Sequence, residues 1–254
     1  MVSRYYDAGT FETDNIELTD SQAHHLVHVK RAKLGERIEL FNGRGKAVRA
    51  EVIELKKKSA VLQIVQQDYT DEDDSITIEI ILASAVPKGD RFRWLIEKAT
   101  EIGVTRFIPL ITKNSVVSPR ETKLEKHRQY VIEACKQSGR NHLMDISNSQ
   151  TLEELCRELQ DKQTTQIFIG HPRGDVAPIT QLQNGLSGEV ASLVLVIGPE
   201  GGFAPEEYDL LEKNHALPVC CSPHVLRIET AGLALASLAV SVVNEKLTNE
   251  KTSE

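Results

Sequence analysis

The stretch VIGPEGGF, residues 196–203, sets Gly198, Gly201 and Gly202 between an apolar run and a helix-like segment. This is the layout of a phosphate loop, yet no Lys follows the glycines and Glu200 stands inside the turn. Glycines let a ligand approach the main chain, and a carboxylate at that point repels phosphate. Pro205, Glu206 and Glu207 then open a helix with acids in its first turn, which also disfavours an anion. The loop therefore suits a neutral or cationic ligand held by backbone groups. Taken alone, an ordinary strand-to-helix turn is the commoner explanation of such glycines.

Its neighbours matter more. Three loops follow consecutive apolar runs: GHPRG around His171, GPEGGF around Glu200, and SPHVLRIET from Ser222. Loops at the carboxyl ends of parallel strands are where open α/β sheets bind ligands, so the three are expected to converge on one crevice. Nucleotide fingerprints are missing: no GxxxxGK[ST] occurs, and no GxGxxG follows the first strand. His24 and His28 are spaced i, i+4 without HExxH, so a helix-surface pair is expected there and no metal site. His25 lies between them without an assigned role. Cys220 and Cys221 read as small buried residues, and no Ser–His–Asp set is legible.

The elements that must position these loops fall into two groups. Residues 1–72 read as a small β-rich unit. Thr19 and Gln22 suggest a capping box for a short helix, followed by the strand-like RIELFNG, GKAVRAEVIEL and SAVLQIVQQ. Gly43 and Gly45 mark one hairpin turn and Lys56–Lys58 the next. The acidic break Asp68–Ser75 marks the boundary. From residue 73 to 254 the runs ITIEIILA, RFIPLI, QIFIG, SLVLVIG and LPVCC alternate with helical patterns, which predicts an α/β domain with a parallel sheet. Phe92, Leu95, Ile96, Ala99 and Ile102 form one helical stripe ending at Gly103, and Thr151 opens a second capping box. Trp94 points away from that stripe, either half-buried beneath a loop or as an interface anchor.

Bulk properties describe an ordinary globular chain of 254 residues with 40% hydrophobic and 26% charged residues. No basic-then-apolar leader is read at the start, and the longest uncharged run, Thr230–Asn244, is shorter than the roughly 18 apolar residues of a membrane span. Four cysteines without CxxC spacing suggest a reducing cytoplasm. The net charge of −7 hides two basic tracts: ten Lys and Arg against four acids in His24–Lys58, and twelve against six in Lys88–Arg140. Such tracts fit selective contact with a polyanion as well as they fit solvated element faces.

IEKATEIGV, EACKQSGR, HPRG, IGPEGGF and VLRIETA occur here in one order, together with LGERIELFNG nearer the start. With these motifs the chain resembles, nearly end to end, the RsmE family of ribosomal RNA methyltransferases in the SPOUT superfamily. The resemblance implies a PUA-like β-barrel followed by an α/β domain with a trefoil-knotted C-terminal segment. It implies S-adenosylmethionine as cofactor, N3 of a uridine in small-subunit (16S) ribosomal RNA as acceptor, and a homodimer.

By the same resemblance the cofactor would lie against His171, Pro172 and Arg173, against Ile197, Gly198, Pro199, Glu200, Gly201 and Gly202, and against Pro223, Val225, Leu226, Arg227 and Thr230. Arg227 is the candidate for holding a uracil oxygen, with a salt bridge to Glu229 as its structural alternative. Glu200 or Glu229 is the candidate base for the imide proton. Arg4, Lys30, Arg31, Arg37 and Arg44 in the barrel, with Lys88, Arg93 and Arg140 beyond it, are candidate RNA phosphate contacts. The helix from Val225, rich in Ala, Gly and Ser with Thr230 as its expected N-cap, is core or dimer seam, and the resemblance favours the seam. Ser222, His224, Leu143, Met144 and Lys30 depart from the usual pattern, whereas GPEGG and LRIETA are intact. The rival readings are a non-catalytic RNA-binding assembly factor of the same fold and methylation of another rRNA or tRNA nucleoside.

Overall fold

The computed structural model describes residues 2–67, 78–117, 124–160, 164–173 and 176–251, so the acidic break at Asp68–Ser75 lies outside the described residues. The chain forms two compact units, Met1–Ser75 with Ile132–Leu143, and Ile76–Val131 with Met144–Glu254.

In the first unit, β1 (Arg4–Tyr6), β2 (Asn15–Leu18), β3 (Arg37–Phe41), β4 (Ala47–Leu55) and β5 (Ala60–Gln66) make a five-stranded sheet ordered β1-β3-β4-β5-β2. The β3–β4, β4–β5 and β2–β5 pairs are antiparallel, and β1 runs parallel to β3. Leu18, Leu26, Ile38, Leu40, Val52 and Leu62 are buried in one core. The β3–β4 turn needs its glycines: Gly43 and Gly45 have φ of 73° and 95°. A Cβ on Gly45 would also lie 2.5 Å from His142 Nε2.

Two expectations for this unit change. Helix α1 (Asp20–His24) starts at Thr19, but the Thr19 side chain makes no capping bond, and Gln22 Oε1 instead accepts from the Tyr6 amide at 3.3 Å. Arg4, expected to face RNA, is turned inward. Its side chain is 8% exposed, Nε lies 2.6 Å from Glu39 Oε1, and Nη1 donates to the Cys135 carbonyl at 2.9 Å. Buried and paired, that guanidinium is structural. His25–Val29 continues α1 as a π-turn, in which the His24 and His28 rings lie 5.0 Å apart and His28 Nε2–H donates to the Lys57 carbonyl at 3.0 Å.

The second unit is a parallel sheet of β6 (Glu79–Ala85), β7 (Arg106–Ile111), β8 (Asp145–Ile146), β9 (Gln150–Thr151), β10 (Thr165–Gly170), β11 (Ser192–Ile197) and β12 (Leu217–Val219). Its order is β12-β10-β11-β6-β7-β8, with β9 also on β7. All six residues of β11 are buried, as continuous apolar strands covered on both faces must be.

Helix α2 (Asp90–Ile102) buries Phe92, Leu95, Ile96 and Ala99 as its stripe predicts, and stops at left-handed Gly103. Trp94, on its other face, is 45% exposed. Helix α4 (Leu152–Leu159) opens with the expected capping box, Thr151 Oγ1 accepting from the Glu154 amide at 3.2 Å. Between α2 and α4 runs α3 (Leu124–Ser138); α5 (Pro178–Gly185) and α6 (Pro205–Lys213) follow β10 and β11.

Helix α7 (Ile228–Lys251) begins at Ile228, with the Arg227 carbonyl accepting from the Ala231 amide at 2.8 Å, so Thr230 lies inside the first turn and is not the N-cap. By length and composition Ile228–Glu250 could cross a membrane, longer than the uncharged run suggested, yet half of its apolar window is buried in the protein. Leu235, Ala236 and Ala239 are fully covered, and the helix packs on α2, α5, β6 and β11. It is a core helix.

Candidate active site

Strand β10 lies between β12 and β11, and all three run parallel, so their carboxyl ends stand side by side. This topology brings the three loops together. The His171 amide donates to the Val219 carbonyl at 2.9 Å, tying the first loop to the end of β12. In the second loop the Gly202 amide donates to the Pro199 carbonyl at 2.8 Å, closing a turn with Glu200 and Gly201 at its two central positions. In the third, Ser222 Oγ accepts from the His224 amide at 3.1 Å.

The loops enclose a cavity of about 320 Å³. Its aromatic wall is a chain of edge contacts: Phe203 to Tyr208 at 5.6 Å and Tyr208 to His171 at 5.9 Å. No Lys among the described residues lines it. A more open groove of about 570 Å³ lies between α5 and α7, away from the strand ends.

The structure places the expected residues as follows. His171 and Pro172 line the cavity from the first loop, while Arg173 does not. Ile197, Gly198, Pro199, Glu200 and Gly202 line it from the second. Gly201 instead faces Asn114, whose Cβ lies 3.2 Å from where a Gly201 Cβ would be. From the third loop Val225, Leu226 and Arg227 line it, and Pro223 and Thr230 do not. His224 lines it too, within the third loop as expected, whereas sequence reasoning missed Tyr208 and Cys221. Tyr208 had one signal, an aromatic residue in the first turn of the helix after a ligand loop. Burial pushes the Cys221 thiol up to about 11, so it lines the cavity as a neutral group and not as a nucleophile.

The carboxylates separate by environment. Glu200 lines the cavity with its side chain 46% exposed, whereas the Glu229 side chain is 6% exposed and does not line it. No Arg227–Glu229 pair forms among the described residues. Arg91, missed from the sequence, takes that place, with Nη1 3.6 Å from Glu229 Oε1 and 3.9 Å from Glu200 Oε1.

The loop after β7 braces the glycine turn. Asn114 Nδ2 donates to the Gly202 carbonyl at 3.0 Å and the Gly201 carbonyl at 3.4 Å. Glu207, buried in α6, accepts from the Lys113 amide at 2.9 Å and the Ala204 amide at 2.7 Å. Glu207→Leu leaves the buried Ala204 amide and the part-buried Lys113 amide without this acceptor, and its expected cost is about 1–3 kcal/mol in urea unfolding. An unchanged midpoint would show that this brace carries no load.

The remaining basic candidates are scattered. Lys30, Arg31 and Lys88 are exposed. Arg37 lies 3.6 Å from Glu51, and Arg44 donates to the Ala8 carbonyl at 2.6 Å. Arg93 donates to Glu97 at 2.7 Å and sits 4.6 Å over the Tyr130 ring. Arg140 falls in the first unit and not in the second as expected, because Ile132–Leu143 packs there through the Arg4 contacts.

A parallel sheet with a cavity at three adjacent strand ends, in a chain that also carries a small β-rich unit, defines a two-unit α/β protein with a ligand site at its strand ends. The chain belongs to the RNA methyltransferase family: the RNA methyltransferase domain matches residues 74–240, and an RNA methyltransferase PUA domain matches residues 18–65. The chain is 28% identical over 246 residues to ribosomal RNA small subunit methyltransferase E of Bacillus subtilis, covering 94% of each chain. It is 29% identical to the protein of that name from Synechocystis, covering 88% of this chain and 72% of the relative. The Neisseria gonorrhoeae ribosomal RNA small subunit methyltransferase E, solved bound to S-adenosyl methionine, superposes with a TM-score of 0.84 at 26% identity, over 95% of this chain and 98% of the other.

Proposed function

We propose that the protein transfers a methyl group from S-adenosylmethionine to N3 of a uridine in 16S ribosomal RNA, in the cytoplasm and as a homodimer. The observation that carries this reading is the single cavity shared by the three strand-end loops, with Arg227 and Glu200 both on its wall. The cavity fits the cofactor's chemistry. Its volume of about 320 Å³ falls among small-molecule sites, and its described lining holds main-chain turns, aromatic rings and a carboxylate, with no Lys among the described residues to oppose a cation.

When bound, S-adenosylmethionine supplies an electrophilic methyl on a positively charged sulfur. The chain's own groups do the rest. Glu200 takes the imide proton from uridine N3, and Arg227 holds the uracil oxygen onto which the charge spreads. The freed nitrogen pair forms the N–CH3 bond as the C–S bond breaks. Charge is cancelled in that step, which a preorganised site drier than bulk water favours. Glu229, buried behind Arg91, suits support better than proton transfer.

The test is to incubate the purified protein and cofactor with small-subunit RNA lacking the modification, then map methylated nucleosides by mass spectrometry. Methyl-3-uridine at one position is the expected product. Cofactor binding with a different methylated nucleoside moves the acceptor, and no cofactor binding at millimolar concentration leaves an assembly factor of this fold.

RNA affinity should fall steeply between 50 and 200 mM salt, because Lys30, Arg31, Arg37 and Arg44 would release counterions from phosphates. Removing Lys30 and Arg31 together should lower the log–log slope by about 1–2. A slope near zero in the wild type would exclude that patch.

A further inference from the structure

We infer that Arg91 is a positioning residue for the reaction, resting on the reading of Glu200 as the base. Arg91 is the second residue of α2. The first turn of a helix favours acids, as Asp90 illustrates, and a cation there opposes the helix dipole. Helix stability therefore does not account for it. Its partners do: one guanidinium nitrogen sits between the buried Glu229 and the cavity-lining Glu200.

The two pairs differ in kind. Glu229 is almost wholly withdrawn from water, its Oε2 accepts no hydrogen bond in the structure, and Arg91 is the cation beside it. In return Glu229 fixes the head of a long side chain that is otherwise about one-third exposed. The fixed head then faces Oε1 of Glu200, a side chain at the apex of a turn. Glu200 keeps its half-exposed carboxylate on the cavity wall. The cation is balanced by Glu229, so it restricts where Glu200 points without leaving a net positive charge beside the base. Arg91 does not itself line the cavity.

The experiment compares wild type with Arg91→Met, Arg91→Gln and Arg91→Lys. It reads S-adenosylmethionine affinity by calorimetry, melting temperature, and the single-turnover rate of methyl transfer to a small-subunit RNA transcript with both ligands saturating. Arg91→Met should lose about 100-fold in rate, the scale of a misplaced reacting group. Cofactor affinity should stay within about threefold, and Arg91→Lys should recover most of the rate. Arg91→Gln keeps the side chain's length without its charge, and should fold and be slow if Arg91→Met melts early. Adding Glu200→Gln to Arg91→Met should slow it no further than Glu200→Gln alone, since both act through one carboxylate. A merely structural role predicts the reverse: a lower melting temperature and weaker cofactor binding, an unchanged rate in the saturated complex, and losses that multiply with Glu200→Gln. That result overturns the assignment. A wild type that transfers no methyl to uridine removes the parent reading and this one together; a wild type that transfers it while Arg91→Met keeps full rate removes only this one.

Discussion

Arg227→Met lowers the single-turnover rate of methyl transfer by about 10²- to 10³-fold, the loss expected when a donor aimed at developing negative charge is removed. Arg227 stands at the mouth of α7, exposed and on the cavity wall. Its carbonyl starts the helix by accepting from the Ala231 amide, a backbone role that any residue fills equally well. Its guanidinium has no ion-pair partner among the described residues, so truncation breaks no internal contact. The loss should therefore appear in the rate at saturating ligands, with melting temperature and cofactor affinity little changed. Arg227→Lys restores charge without the planar fork and should recover only part of the rate. Rapid-quench assays decide it: a variant within threefold of wild type assigns the oxygen contact to another group.

Gly198→Ala weakens S-adenosylmethionine binding by about 10- to 100-fold, corresponding to the 1–3 kcal/mol that overpacking costs. A Cβ at this position would lie 2.9 Å from Cε2 of Phe203 and 3.1 Å from both Cδ2 and Cζ. Phe203 is 7% exposed and wedged at a right angle against Tyr208, so the ring has no way out except into the cavity. Adding Phe203→Leu makes room, and the double variant should bind more tightly than Gly198→Ala alone. Calorimetry on the wild type and the two variants is sufficient. Equal affinity for wild type and Gly198→Ala would show that the ligand does not rest against this turn.

Much of this site was legible because its determinants are local. Glycines around a carboxylate exclude phosphate chemistry from one short window, and three loops after three apolar runs anticipate strand-end convergence. The strand order β12-β10-β11 makes that convergence a matter of immediate neighbours. What escaped depends on distance. β1 and β2 have three and four residues, too few to show alternation, and β1 joins the sheet beside β3. Ile132–Leu143 reads as the end of one helix in the α/β run, yet belongs to the first unit through hydrogen bonds to Arg4, more than a hundred residues earlier. Thr19 and Gln22 matched a capping box in type and spacing, but the Tyr6 amide claimed the glutamine. Arg91 gave no signal, because a cation among many charged residues becomes distinctive only when Glu229 and Glu200, more than a hundred positions later, stand beside it.

The placement of β10 between β11 and β12 sets a schedule during synthesis. The middle wall of the cavity emerges first and its two side walls later, while Arg227 and the helix that backs it come last. A chain still leaving the ribosome before that point has no pocket to fill. Methyl-donor capture thus marks a finished molecule, and a saturating donor should protect only chains that have completed their C-terminal third.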